Sequence, residues 1–192
     1  MDVIQDWLTT FGLVMIKPLP QTFVIESKKA KGKFSTALMW VAFVAVVVDI
    51  QTLIIKNYFS VSKILKSILF TPVVVLISVF VVHLLYQRLL GKKKDLYSEL
   101  LYLIVGIFVP FVIVSLFVNQ IPVVGKALFW ATLAYPLILI VIAVKTITEL
   151  KIWQSIMIVF LGSVVAVIAY FSIPILFSSI MFFTSRISVS PI

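Results

Sequence analysis

Residues 98–118 read SELLYLIVGIFVPFVIVSLFV. After Glu99 the run carries no charge. As a helix rising about 1.5 Å per residue it matches the roughly 30 Å hydrocarbon core of a bilayer. Length and composition together read as a transmembrane helix. Four more apolar runs surround it, and the spans are placed at 37–55, 69–90, 98–118, 127–145 and 154–178. Ahead of Pro72, the stretch Tyr58–Leu69 sets Phe59, Ile64, Leu65 and Ile68 on one helical stripe, with Lys63 and Lys66 outside it. Either the second run starts earlier than 69, or this pattern marks an interfacial helix before Pro72. The connections around Gly91–Asp95 and Asn119–Lys126 are short, so the spans they join pack antiparallel. The expected fold is all-α: a five-span membrane bundle with an amphipathic N-terminal surface helix.

Composition excludes the other broad classes. Of 192 residues, 62% are hydrophobic and 12% charged, about half the charged share of a soluble domain. Mean hydropathy is +1.23. A disordered chain needs low hydrophobicity and high charge, and one small soluble core could not hide this much apolar surface. Without cysteine there is no disulfide, thiol catalysis or cysteine metal site, and a single His excludes a multi-histidine site within the chain. The net charge of +9 reads as membrane topology and contact with anionic headgroups, with no nucleic-acid partner.

The chain divides into a cytoplasmic segment 1–36, a membrane domain 37–178 and a short tail 179–192. Its acidic start, Met1-Asp2-Val3-Ile4-Gln5-Asp6, does not resemble a cleavable signal peptide. Val3, Ile4, Trp7, Leu8, Phe11, Val14 and Met15 follow helical spacing, opposite Asp2, Gln5, Asp6, Thr9 and Thr10. This helix is too short to span. It should lie on the membrane surface or dock on a partner helix, with Trp7 and Phe11 buried in headgroups or against the partner. Pro18 and Pro20 end it, and a polar stretch rich in lysine follows. Counting Lys and Arg on alternating sides puts eleven of 16 on the side of the N-terminus. The expected orientation therefore has the N-terminus cytoplasmic and the C-terminus outside.

Asp49 is the costliest residue in the chain. It lies about 18 Å into the first span, where a carboxylate costs on the order of 3 kcal/mol. It should face the bundle interior, near the depth of Ser78, Pro110 and Tyr135. One reading is a proton or ion site. The preferred reading is structural: a carboxyl that is protonated, bonded to Ser78 or Tyr135, or reached by Lys56. His83 sits nearer the cytoplasmic side, about 8 Å from Asp49 along the axis. It reads as bonding a neighbouring helix or reaching toward Arg88. Ala127/Ala131 and Gly162/Ala166 are small pairs four apart, which permit close helix packing. Trp40, Trp130, Trp153, Tyr97 and Tyr102 read as an aromatic belt. Lys92, Lys93 and Lys94 form a basic loop able to meet anionic headgroups. No phosphate loop, nucleophile elbow or metalloprotease motif occurs, so no catalytic, cofactor or metal residue is assigned.

The order of features resembles the Yip family, the Ypt-interacting-protein domain, in its prokaryotic form. It begins with Lys17-Pro18-Leu19-Pro20-Gln21-Thr22-Phe23 and continues with Thr71-Pro72, His83-Leu84-Leu85, Leu89-Leu90-Gly91 and Tyr97. Pro110-Phe111, Ile121-Pro122-Val123-Val124-Gly125, Tyr135 and Lys145 complete it, over roughly residues 17 to 178. Lys92-Lys93-Lys94 and Trp153-Gln154 depart from the family pattern. The resemblance implies five spans with a cytoplasmic N-terminus. It also implies non-catalytic membrane work, since eukaryotic relatives bind Rab-type GTPases in trafficking and some prokaryotic ones accompany ABC-type exporters. The expected function is a non-enzymatic scaffold or accessory subunit that packs with other membrane proteins or with itself. The alternative is a small transporter, channel or lipid-translocating protein using Asp49. A membrane enzyme would need several convergent polar groups.

Overall fold

A computed structural model describes residues 3–30, 33–56, 61–90, 95–118, 120–121 and 125–187. Among them are seven α-helices and no strand: α1 (Val3–Ile16), α2 (Pro20–Lys29), α3 (Phe34–Lys56), α4 (Val61–Leu90), α5 (Tyr97–Val118), α6 (Gly125–Thr148) and α7 (Ile152–Ile187). Five of them, α3 to α7, are long and apolar enough to cross a membrane. The chain is a polytopic helical membrane protein.

The run quoted first becomes the hub. In α5, 56% of the spanning window is buried, against 17–29% in the other four. It packs on α3, α4 and α6, while α4 and α6 close on α7. Leu100, Leu101, Leu103, Val105, Ile107 and Val109 of α5 are all buried, which is why this helix is apolar around its whole circumference.

Helix ends follow local chemistry. Asp95 Oδ1 accepts the Tyr97 N–H at 3.0 Å, capping α5, and Glu99 adds negative charge to its first turn. At the start of α7, Gln154 Oε1 accepts the Lys151 N–H at 3.1 Å, one half of a capping box. That gives a local reason for the Trp153-Gln154 departure. Glu149, between α6 and α7, has φ 57°, a left-handed cap more often made by glycine.

Several expectations change. Of the two readings ahead of Pro72, the earlier start holds: Pro72 lies inside α4, and the stripe is the opening of a continuous 30-residue helix. The proline frees one carbonyl, and a membrane helix tolerates that when neighbours repack around it. Tyr58 and Phe59 of that stripe lie outside the described residues. Likewise α7 does not stop at 178 but runs 36 residues to Ile187, across the boundary expected for the tail. The polar stretch after Pro20, for which no element was expected, is helix α2. Pro20 occupies its first turn, where a fixed φ favours entry, and Lys28 and Lys29 close it with charge that suits a helix C-terminus. Tyr102 is buried beneath Lys33, whose ammonium lies 5.7 Å from the ring centroid, so it is no belt residue. Trp130 and Trp153 remain on the outside.

Candidate functional site

The polar chemistry of the chain gathers where α1 and α2 fold back against α5 and α6. On α2, Phe23, Glu26, Ser27 and Ala30 recur at helical spacing and are all buried, with Glu26 fully so. Thr10 of α1 donates its hydroxyl to Glu26 Oε2 at 2.7 Å, and Lys29 Nζ donates to Glu26 Oε1 at 2.8 Å. A buried carboxylate is tolerable only when its oxygens are satisfied in this way. The network fixes α1 to α2 as a helical hairpin.

The hairpin is then set against the membrane helices. The Phe11 ring meets Phe111 edge-on at 5.9 Å between centroids, and Phe111 meets Tyr135 at 5.6 Å. Tyr135 in turn donates its hydroxyl to the Met15 carbonyl at 3.4 Å. Phe111 follows Pro110 in α5, and Tyr135 precedes Pro136 in α6. Both prolines lie roughly 18–20 Å from the ends of their helices that face α2, at about 1.5 Å per residue. Of the two placements expected for the N-terminal helix, α1 takes docking: it packs on α5, at the middle of the bundle's depth and not at its rim. Phe11 is half-buried there, and the Trp7 side chain lies outside the described residues.

The intramembrane polar residues are not brought together. Asp49 is buried, as expected, but neither proposed partner reaches it. Ser78 donates to the Val74 carbonyl of its own helix at 2.6 Å, and Tyr135 is engaged by Met15. Among the described residues, Asp49 Oδ2 has no hydrogen-bond partner. The Lys56 side chain lies outside the described residues. Gln51 and Thr52, close by on α3, spend their donors on the Leu116 and Val48 carbonyls. The equal-depth argument placed Ser78 and Tyr135 beside Asp49 by height alone; the direction each faces depends on helix rotation, which height does not fix.

His83 is held near the membrane rim. Its Nε2 lies 3.6 Å from Asp95 Oδ1, the atom that caps α5, and its ring sits 5.9 Å from Tyr97. The partner is therefore Asp95 in the connection to α5 and not Arg88. Tyr97 is half-buried and sends its hydroxyl to the Leu76 carbonyl at 3.1 Å, tying α5 to α4 instead of anchoring in headgroups.

Of the small pairs, Gly162 is buried in the α4–α7 contact and Ala166 is half-buried. Ala127 and Ala131 are exposed, so their face of α6 remains open to a helix from outside the chain. Lys92, Lys93 and Lys94 lie outside the described residues. Sequence reasoning missed Glu26. The usable signal was the spacing of Phe23, Glu26, Ser27 and Ala30 behind a helix-opening Pro20. Comparison with family models, curated proteins and solved structures finds no match.

The lone oxygen of Asp49 has a measurable cost. Asp49→Val is expected to stabilise the chain by about 1–3 kcal/mol, the amount an unsatisfied buried polar group forfeits, seen as a higher thermal midpoint in detergent. A lower midpoint would show that the carboxyl holds a partner the static structure lacks.

Proposed function

We propose that this chain is a non-catalytic membrane protein of Yip type, acting as a scaffold or accessory subunit against other membrane proteins. The observation that carries this reading is the dispersal of the intramembrane polar groups Asp49, Ser78, His83 and Tyr135. His83 goes to Asp95, Tyr135 to Met15 and Ser78 to its own helix, while Asp49 stands about 8 Å deeper than His83 by helical rise. Transport or membrane catalysis calls for convergent polar groups, whereas packing calls for open helix faces such as Ala127/Ala131.

Native purification followed by mass spectrometry should recover a stoichiometric membrane-protein partner or a second copy. Ala127→Leu with Ala131→Leu should release it while the purified chain stays folded. Recovery of a monomer from native membranes, with no partner, would count against the reading. A second reading, a proton or ion pathway, rests on the unpartnered Asp49 Oδ2. Under it, Asp49→Asn abolishes activity without unfolding, because an amide cannot titrate; under the scaffold reading the same change leaves partner recovery intact.

The orientation belongs to this proposal. With the N-terminus cytoplasmic, Lys93→Cys and Ser188→Cys in this cysteine-free chain should label from opposite sides. Labelling of both by an impermeant reagent outside intact cells would overturn it.

A further inference from the structure

The turn joining α1 to α2 sits well below the end of the bundle. Phe11 and Met15 are held by Phe111 and Tyr135, and each of those stands near the middle of a spanning helix. The Met15 carbonyl takes its hydrogen bond from the tip of the Tyr135 side chain. Even a tyrosine stretched toward the rim leaves that carbonyl inside the leaflet, whose hydrocarbon is roughly 15 Å deep. The side chains around it do not all fold back onto the bundle. Leu13 is 41% exposed, Ile16 79% and Leu19 55%. Toward its start α1 presents Gln5 and Thr9 outward instead, so this apolar outer surface belongs to the turn end of the hairpin.

Irregular backbone lies at such depth only where its polar groups are bonded or covered by protein. This turn supplies such bonds. Pro18 and Pro20 carry no N–H. The Leu19 N–H goes to the Lys17 carbonyl at 2.7 Å, the Thr22 N–H to the Leu19 carbonyl at 3.0 Å, and the Thr22 hydroxyl to the Lys17 carbonyl at 2.9 Å. Lys17, exposed beside Ile16, has a stem long enough to carry its ammonium toward the headgroups. Pro20 then stands near Lys145 and Leu150 at the end of α6, where the chain is back at the rim. A surface that is apolar at the depth of hydrocarbon and cationic toward the phosphates fits lipid and not water. We propose that the α1–α2 turn is a re-entrant tip, with Leu13, Ile16 and Leu19 among the acyl chains of the leaflet in which α6 ends. This contact is independent of the scaffold reading, since it concerns lipid and no protein partner.

The test uses the full chain, which contains no cysteine, in phosphatidylcholine vesicles, with a nitroxide label at Ile16→Cys, Ile138→Cys or Lys151→Cys. Ile138, exposed on α6 one turn from Tyr135, calibrates the hydrocarbon. Lys151, exposed between α6 and α7, calibrates the membrane surface. Collision of each label with oxygen, which concentrates in hydrocarbon, is compared with collision with a water-soluble nickel chelate. The oxygen-to-nickel ratio at Ile16 should match that at Ile138 and exceed that at Lys151 several-fold. Leu13→Cys, one turn earlier and also exposed, should read the same and guards against a local disturbance at Ile16. Ratios at Ile16 and Leu13 equal to that at Lys151 would overturn the proposal by placing the tip in water. So would low collision with both reagents, the mark of a face covered by a partner protein or a second copy.

Discussion

Glu26→Ala is expected to lower the stability of the chain by about 3 kcal/mol, because it strips one partner from a buried, hydrogen-bonded charge pair. Glu26 is fully buried, and both of its oxygens are engaged, by Thr10 on α1 and Lys29 on its own helix. Removing the carboxylate takes one acceptor from the buried Thr10 hydroxyl and one from the partly exposed Lys29 ammonium. It also deletes the polar tie between α1 and α2. The loss should appear as a lower thermal midpoint in detergent. It should also speed labelling of a cysteine placed at Val14, which is 3% exposed beside the bundle. Glu26→Gln, which keeps the shape and one acceptor, should fall between. Thr10→Val, Glu26→Leu and Lys29→Met together should recover most of the loss, since an apolar replacement of a whole buried polar cluster is often neutral. An unchanged midpoint and labelling rate in Glu26→Ala would show that the network does not hold the hairpin.

Gly162→Leu should force α4 and α7 apart. A Cβ built on Gly162 falls 2.6 Å from Val82 Cγ2 and 3.5 Å from the Ser78 carbonyl oxygen. Val82 is 4% exposed, and its β-branched side chain has few rotamers to escape into. Even Gly162→Ala should cost about 1–3 kcal/mol through overpacking, and a leucine considerably more. Val82→Ala, in the Gly162→Ala background, should restore much of the loss by making room. Gly106 supplies the control. It too is buried in a spanning helix, yet nothing lies within 4 Å of its built Cβ. Gly106→Ala should therefore be neutral or stabilising by up to about 1 kcal/mol, the helix-propensity gain. Equal responses at the two glycines would refute the close approach of α4 and α7 as the reason for Gly162.

What was readable in advance follows a physical divide. The five spans were legible because bilayer thickness imposes a length and a composition that soluble structure does not imitate. Gly162 was legible as a small residue in an apolar helix, since close packing in lipid draws on small side chains. Helix α2 was not, because polar residues cover most of its surface and its buried face includes a glutamate. The network around Glu26 forms only once Thr10, sixteen residues earlier, is brought beside it. The partners of Asp49 and Tyr135 were misassigned for a related reason. Rise along a helix follows from counting residues; rotation about its axis is set by neighbours the count does not include. Ala127/Ala131 carries the same spacing as Gly162/Ala166 yet faces outward, so the motif marks a surface suited to packing without naming what packs there.

Helix α7, 36 residues long, measures about 54 Å, against a hydrocarbon layer near 30 Å. Fitting all of it within that layer would require a tilt of about 56°, beyond the roughly 40° limit of known spanning helices. Part of α7 must therefore stand clear of the hydrocarbon. Its antiparallel neighbour α4, 30 residues long, enters from the side where α7 leaves. The apolar spanning stretch of α7 ends at Leu176, so its last turns toward Ile187 form a projection on the side where α7 leaves. Bilayer thickness then sets how much of that projection emerges, so a thicker membrane would cover more of it and a thinner one would expose it.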